Sequence, residues 1–371
     1  MNGIKLLCLL LLSHAAAIAQ VYLCDKKASA ETNHLYNNLK KIPARGFMFG
    51  HQDDLAYGVN WKYVAGNSDI KEVTGDYPAV YGWELGHLEL DSSKNLDGVP
   101  FDKMKQFIAA GYARGGVITI SWHFTNALTG KSAWDATPGT VAAILPGGAK
   151  HTLYKSWLDK LAAFMLDLKG VNGEAIPVIF RPFHELNGSW FWWGKNLCTP
   201  DELKQLYRFT ETYLRNEKNV HNLLYAFNTD RFGSAEEYLE RYPGDEWVDI
   251  IGFDIYQRGK DNEAFIREMD KCLSTLEKLA AEKSKIAALT EFGYGTLPDS
   301  TWWTKVLLPA IGTHQIAYAL AWRNAGKSPN GQYEYYVPFK GEASAADFGL
   351  FYKNERTLFQ KEVTKENLYK K

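Results

Sequence analysis

The sequence Pro177-Val-Ile-Phe-Arg-Pro-Phe-His-Glu-Leu-Asn-Gly-Ser-Trp-Phe-Trp-Trp-Gly194 changes character after its first four residues. Those four are apolar, and their β-branched and aromatic side chains favour a buried strand. Arg181, His184 and Glu185 follow at once, and positions 190–193 are all aromatic. A parallel barrel presents its chemistry on polar side chains at the carboxyl ends of buried strands. The stretch therefore predicts one strand of such a barrel, with functional groups at its end.

Strand-like apolar segments recur along the chain with helix-like segments between them, a pattern typical of repeated βα units and a parallel sheet. Eight strands are predicted, at residues 46–52, 78–84, 117–123, 177–185, 223–228, 249–256, 286–293 and 316–323. Helices are predicted at residues 101–113, 153–168, 200–215, 263–283 and 302–311, and Thr199 is the expected N-cap of the third. Eight such units predict an α/β fold, a single-domain (β/α)8 TIM barrel. A doubly wound open sheet is the alternative, although no glycine-rich phosphate loop follows the first strand.

The first 19 residues have the features of a signal peptide. Lys5 precedes an apolar run at residues 6–12, and Ala17-Ile-Ala19 is a cleavage pattern. The run is too short for a membrane span, which needs about 20 apolar residues. We therefore expect residues 1–19 to be a signal peptide, residues 20–371 to form the barrel domain, and the protein to be periplasmic or secreted. A lipid anchor at Cys24 is the less favoured alternative, because the preceding Leu23 is not small.

Charge and cysteine content exclude several classes of partner. The net charge is −1, so no basic field attracts nucleic acid. Outside the leader only Cys24, Cys198 and Cys272 are present, which allows one disulfide at most and offers no metal-ligand spacing. The histidines form no HxH or HExxH motif. We expect neither a metal nor another cofactor.

Two carboxylates stand at the ends of predicted strands on nearly opposite sides of the barrel. Glu185 follows the fourth strand, and Glu291 ends the seventh within Leu289-Thr-Glu-Phe-Gly293. Glycoside hydrolysis requires two flanking carboxylates, and indoles beside them suit the apolar faces of a sugar. With 43 acidic residues in the chain, a chance pair is easy, and a buried ion pair beside an aromatic cluster is the alternative interpretation.

The segment from Arg181 to Gly194 resembles the acid/base signature of glycoside hydrolase family 26, best known for β-mannanases. Leu289-Thr-Glu-Phe-Gly293 resembles the nucleophile segment of that family. Shorter matching motifs are Gly50-His-Gln, Ser121-Trp-His, Asp254-Ile-Tyr and Ala321-Trp-Arg-Asn, so that the resemblance covers roughly residues 45 to 350. It implies a β-mannan or manno-oligosaccharide substrate and retention of anomeric configuration through a covalent glycosyl-enzyme.

The resemblance also implies roles for individual residues. Glu185 would be the general acid/base and Glu291 the nucleophile. The implied substrate-binding residues surround this pair: His184 beside the acid/base, Trp190 in the catalytic subsite, Tyr256 next to Glu291, His123 on the nonreducing side, Trp322 and Arg323 in the glycone region, and Trp134 as an aglycone platform.

These roles carry electrostatic requirements. An acid/base must begin protonated, so burial and the neighbouring Glu291 should raise the pKa of Glu185. Glu291 must stay ionised, helped by donors such as Tyr256 and by Arg181 as a charge partner. The spacing for retention is about 5–5.5 Å between the carboxyl groups.

Two further functions stay open on the sequence: a related barrel hydrolase acting on β-glucan or xylan, and a non-catalytic glycan-binding barrel. The choice between endo cleavage and release of mannobiose is also open. We expect the polar loop at residues 88–99 to close the glycone side of the cleft and to bias the products toward mannobiose.

Overall fold

A computed structural model of the protein describes residues 23–328 and 330–371, so the predicted signal peptide lies outside the described residues. Its centre consists of eight strands: β1 Phe47–Gln52, β2 Val80–Glu84, β3 Val117–Ser121, β4 Val178–Arg181, β5 Leu223–Asp230, β6 Ile250–Gln257, β7 Ile286–Tyr294 and β8 Tyr318–Ala321. Each strand pairs in parallel with the next, and β8 pairs with β1 to close the barrel. The predicted (β/α)8 barrel is confirmed.

Helices lie between the strands and at both chain ends of the barrel. They are α1 Ala30–Leu39, α2 Asp69–Thr74, α3 Phe101–Ala113, α4 Thr140–Ile144, α5 His151–Asp167, α6 Pro200–Thr212, α7 Ala235–Leu239, α8 Asn262–Lys283, α9 Leu308–Ile311, α10 Ala345–Tyr352 and α11 Gln360–Glu366. Thr199 caps α6 as predicted: its hydroxyl accepts from the Glu202 amide, and the Glu202 carboxylate accepts from the Thr199 amide. Throughout the described ranges we find no helix with the length and apolar character that a bilayer crossing requires.

Two of the predicted helices include a π-helical turn. α6 stops at Thr212 and continues as the π-helical turn Tyr213–Glu217, whereas the prediction extended the helix to Arg215. The predicted helix at 302–311 is a π-helical turn, Trp303–Leu307, that runs into the short α9. Both segments keep their place between strands, so the differences leave the barrel unchanged.

The strands alternate between the barrel interior and the helix layer, as the period of two in a strand requires. In β4, Ile179 joins an interior cluster that includes Leu224 and Leu320, while Phe180 packs in the outer cluster with the helices. The alternation brings the next residue, Arg181, back to the interior at the carboxyl end of the barrel. Apolar residues thus fill the barrel interior on the side of the amino ends of the strands, and polar groups begin at the carboxyl ends.

A β-bulge in β7 interrupts this alternation. Phe253 of β6 lies opposite Leu289, but the next residue, Asp254, lies opposite Glu291, so Thr290 is the extra residue. Leu289 packs in the outer cluster, and strict alternation would have turned Glu291 outward as well. The bulge instead turns both Thr290 and Glu291 toward the interior, the re-aiming of a side chain for which bulges near active sites are known.

Candidate active site

The innermost group of the site is the buried guanidinium of Arg181, the last residue of β4. It donates from Nη1 to Oδ2 of Asp254 at 2.9 Å and from Nη2 to Oε2 of Glu291 at 2.7 Å. Asp254 also accepts from Asn228 and Thr290, both at 2.8 Å. Burial lowers the pKa of Arg181, but the two carboxylates outweigh it, and the net direction is upward. Arg181 is therefore the charge partner that the sequence indicates.

Glu291 is held from two sides. The Tyr256 hydroxyl donates to Oε1 of Glu291, and Arg181 donates to Oε2, so each carboxylate oxygen has its own donor. The side chain is nearly enclosed, with 4% of Glu291 exposed. Two fixed donors orient the carboxylate and leave it one direction in which to meet a ligand.

Glu185 lies in the tight turn that follows β4. Its backbone has a φ of +52°, and Phe183 has a φ of +54°, a left-handed conformation that is uncommon for residues other than glycine and that clusters at functional sites. Trp190 donates from Nε1 to Oε2 of Glu185 at 2.6 Å. Burial, then the nearby carboxylates of Glu291 and Asp230, raise the pKa of Glu185 to about 8, although the Trp190 hydrogen bond opposes the rise. The direction agrees with the prediction.

The two glutamates face each other closely. One oxygen each from Glu185, Asp254 and Glu291 lies within 4.8 Å of the others. Glycosidases that place a water between their two carboxyl groups hold them about 6.5–9.5 Å apart, whereas those that form a covalent intermediate hold them about 5–5.5 Å apart. An oxygen-to-oxygen distance within 4.8 Å favours the shorter of these two spacings.

Two buried histidines form the wall beside Glu185. Nε2 of His184 lies 2.9 Å from Nε2 of His123, and Nδ1 of His123 lies 2.8 Å from the carboxylate of Glu84. Burial lowers the pKa of His184, with His123 and Arg181 acting in the same direction. His184 is therefore a neutral hydrogen-bonding group next to the acid/base candidate.

Aromatic side chains line the rim. Trp134 stacks on His123 with ring centroids 5.1 Å apart and is 49% exposed, so its outer face is free for a ligand. Trp190 is also exposed, whereas Trp192 and Trp193 are fully buried and pack in the hydrophobic core. A cavity of about 390 Å³ lies between Trp134 and Trp322. Arg323 also lines this cavity, and ion pairs with Asp97 and Glu334 hold its guanidinium in place.

A family model described as glycosyl hydrolase family 26 matches residues 24–332. The chain belongs to glycosyl hydrolase family 26. The predicted family is thus confirmed, and the site described above lies within the matched segment.

Several similar proteins carry names that state an activity. The chain is 35% identical, over 94% of its length, to a mannan endo-1,4-beta-mannosidase from Bifidobacterium adolescentis, and it spans 36% of that protein. It is 30% identical, over 80% of its length, to one from Thermothelomyces thermophilus, of which it spans 56%. Among solved structures, the family 26 beta-mannanase from Bacteroides ovatus is similar, with 43% identity, a TM-score of 0.87 and coverage of 90% of this chain and 96% of that one.

All nine site residues named from the sequence surround the cleft: Glu185, Glu291, His123, Trp134, His184, Trp190, Tyr256, Trp322 and Arg323. Sequence reasoning gave no role to Glu84 or Asp97, which hold His123 and Arg323. Glu84 does carry a signal in the sequence, since it is the final residue of a predicted strand. Asp97 carries no such signal, because it lies in the loop at residues 88–99.

Proposed function

We propose that this chain hydrolyses β-1,4-linked mannan with retention of anomeric configuration, with Glu185 as general acid/base and Glu291 as nucleophile. The observation that carries the proposal is the close pair of carboxylates, whose nearest oxygens lie within 4.8 Å of one another. The environments of the two carboxyl groups differ in the way that a two-step hydrolysis requires, since one group must begin protonated and the other ionised. Glu185 has a pKa raised to about 8, and Glu291 accepts two hydrogen bonds from Tyr256 and Arg181.

In the first step Glu291 attacks the anomeric carbon, while Glu185 gives its proton to the leaving oxygen and the glycosidic bond breaks. In the second step Glu185, now a carboxylate, takes a proton from water as the water attacks the same carbon and releases Glu291. Tyr256 and Arg181 hold the attacking carboxylate in place during both steps. Trp190 holds Glu185 through its indole N–H.

Substrate class is supported by the relatives, several of which are named mannan endo-1,4-beta-mannosidases. The exposed face of Trp134 and the indole of Trp322 suit the apolar face of a pyranose, and polar side chains beside them suit its hydroxyl groups. The same chemistry could serve another β-linked glycan, so the test includes glucan and xylan.

We propose further that the loop at residues 88–99 limits the glycone side and biases the products toward mannobiose. Asp97 of this loop forms an ion pair with Arg323, which also pairs with Glu334 at 3.2 Å. This bridge of three charged residues lies beside the cavity that Trp134 lines. Asp97→Ala should broaden the range of early products from mannohexaose. Asp91→Ala is the matched control, because Asp91 lies in the same loop but pairs with Lys160 on the surface. Equal product profiles for both variants would contradict the role of the bridge.

The central experiment incubates wild type, Glu185→Ala and Glu291→Ala with mannohexaose, β-glucan and xylan, and follows products by chromatography. Proton NMR of the first anomeric product distinguishes retention from inversion. We expect cleavage of the mannan substrate only, with a β-anomer formed first and with both variants slower by at least about 10²- to 10⁴-fold. Glu211→Gln serves as the control, because Glu211 is a buried glutamate of α6 outside both the catalytic pair and the loop at residues 88–99.

Sodium azide separates the two roles, since it can replace the missing carboxylate. Glu185→Ala with azide should give a β-glycosyl azide, and Glu291→Ala should give the α-anomer. Inverted products from wild type would overturn the retaining mechanism. Binding of mannohexaose without cleavage would favour the glycan-binding alternative.

We also propose that residues 1–19 direct export and that Cys24 is not lipidated. The Cys24 amide donates to Asp249 at 2.9 Å and its carbonyl accepts from Arg215 at 2.6 Å, which supports a structural role at this position. The mass of the mature protein tests both points: an added diacylglycerol group would contradict the second.

A further inference from the structure

Glu84, the last residue of β2, is a buried carboxylate whose four hydrogen bonds all come from the wall of the active site. Oε1 accepts from the amides of Gly86 at 2.5 Å and His123 at 2.6 Å, and Oε2 accepts from the Ser121 hydroxyl and from Nδ1 of His123, both at 2.8 Å. Burial raises the pKa of Glu84, but His123 and the hydrogen bonds outweigh it and hold the pKa at about 2. Glu84 is thus an anion with no acceptor capacity left over for a substrate.

The contact with Glu84 fixes the proton on Nδ1 of His123, because a carboxylate can only accept there. The other ring nitrogen, Nε2, lies 2.9 Å from Nε2 of His184, so a single proton lies between the two rings. If His123 is doubly protonated, its Nε2–H donates and His184 keeps its own proton on Nδ1. If His123 is neutral, His184 donates instead, and the two arrangements require opposite tautomers of His184.

His123 is surrounded mainly by carboxyl groups. The titratable groups that face it are Glu84, Asp97, Glu185, Glu291 and His184, and it stacks on Trp134 in the cavity wall. Burial lowers the pKa of His123, but Glu84 first and then Glu291 and Asp97 outweigh it, and the net direction is upward. Of the two arrangements, the one with a cationic His123 and a neutral His184 is therefore favoured.

We infer that Glu84 is a positioning residue of this active site: it holds His123 by Nδ1 and, through the contact between the two Nε2 atoms, holds His184 beside Glu185. This inference rests on the proposed function for its kinetic consequences, although not for its structural ones. His184 precedes Glu185 directly, and its carbonyl accepts from Trp193 at 2.9 Å, so its ring and its backbone are both fixed. The chain of contacts connects strand β2 to the turn that carries the acid/base.

The test compares Glu84→Gln with Glu211→Gln. Glu211 is an equally buried glutamate, in α6, outside the contacts that join Glu84, His123 and His184. Glutamine keeps the shape of Glu84 but removes the charge and half of the acceptor capacity. We expect Glu84→Gln to lower kcat/KM on mannohexaose by about 10- to 100-fold, and Glu211→Gln to have little effect.

A double-mutant cycle with His123→Ala gives the decisive readout, because a residue that acts through His123 has nothing to act on once the imidazole is gone. The loss caused by Glu84→Gln should disappear in the His123→Ala background. An equal loss in both backgrounds would overturn the inference.

Imidazole NMR tests the same inference without catalysis, and so distinguishes its failure from that of the proposed function. In wild type, Nδ1 of His123 should carry a proton, and His123 should titrate at a higher pH than His184. In Glu84→Gln the titration of His123 should move to lower pH. An unchanged titration, or a wild-type His123 without a proton on Nδ1, would contradict the role of Glu84, and the wild-type spectrum decides the matter even if the variant fails to fold.

Discussion

Buried acids occur at both ends of this barrel, but their surroundings differ. At the carboxyl end, Glu84, Asp254 and Glu291 each accept at least two hydrogen bonds from fixed donors. On the amino-terminal side, Glu211 of α6 is fully buried near Asp249, and neither of its carboxylate oxygens has a hydrogen-bond partner among the described residues. Burial raises the pKa of Glu211 well above its usual value, only partly offset by Arg215, whose guanidinium is 3.8 Å away.

The comparison shows that fixed donors can outweigh burial inside this barrel. Glu84 and Glu211 are both buried, but His123 and the surrounding donors hold the pKa of Glu84 at about 2. Burial dominates at Glu211, and also at Asp254, whose pKa is raised well above its usual value although Arg181 opposes the rise. The variants described next remove a donor, a cation or an ionisable group at one end of the barrel, and so test this comparison.

Removing Arg181 should have the largest effect, because it leaves Asp254 and Glu291 buried without their common cation. We expect Arg181→Met to lower the free energy of unfolding by about 3–5 kcal/mol, measured by urea denaturation. Arg231→Met is the control: its ion pair with Glu268 is about one-third exposed on each side, and its loss should cost less than about 1 kcal/mol. Similar losses for both variants would show that the buried network contributes no special stability.

Tyr256→Phe removes one of the two donors to Glu291 and leaves the fold intact. A hydrogen bond to a charged group contributes about 1.5–3 kcal/mol, so kcat on mannohexaose should fall by about 10- to 100-fold. Tyr238→Phe removes a buried hydroxyl that donates to the Gly252 carbonyl of the same strand β6, and it should leave kcat nearly unchanged. A comparable fall in both would point to general loosening of the strand.

Glu211→Gln tests the amino-terminal side. Because the folded-state pKa of Glu211 is raised, its contribution to stability is fully present below the unfolded pKa of about 4.3 and is lost as pH rises toward the folded pKa. Glutamine cannot ionise, so the variant should match wild type near pH 4 and be more stable by on the order of 1 kcal/mol near pH 9. Asp249→Asn should behave differently and destabilise, since Asp249 accepts from the amides of Cys24 and Tyr225. Thermal unfolding across this pH range measures both.

The effect of Trp190→Phe on the ionisation of Glu185 should be the smallest of these effects, and it is measured from the pH profile. Glu185 must be protonated to act as the acid, so kcat/KM falls as pH rises through its pKa of about 8. The indole N–H favours the ionised form, and its loss should move the basic limb upward by roughly half a pH unit. Trp192→Phe, which removes an indole bonded to the Phe124 carbonyl, should not move this limb. A downward shift in Trp190→Phe would contradict the role given to the indole.

Much of the fold follows from local sequence. Eight apolar segments with helical segments between them predict a parallel barrel, since buried parallel strands read as apolar runs and their crossovers require helices. Thr199 and Glu202 predict the start of α6 because the capping box is a local interaction. The position of Glu185 also follows from sequence, as it comes directly after an apolar strand whose end must open onto the carboxyl face.

Other features depend on partners distant in the chain. The inward direction of Glu291 results from the bulge opposite Asp254, whereas the alternation of β7 by itself would turn it outward. Trp190 and Trp192 are two residues apart in one aromatic run, yet only the first reaches the cleft. The sequence by itself determined the barrel and which residue types stand at its strand ends. The tertiary structure decided which of them turn inward and in which direction their pKa values shift, because register, burial and hydrogen-bond donors come from neighbouring strands.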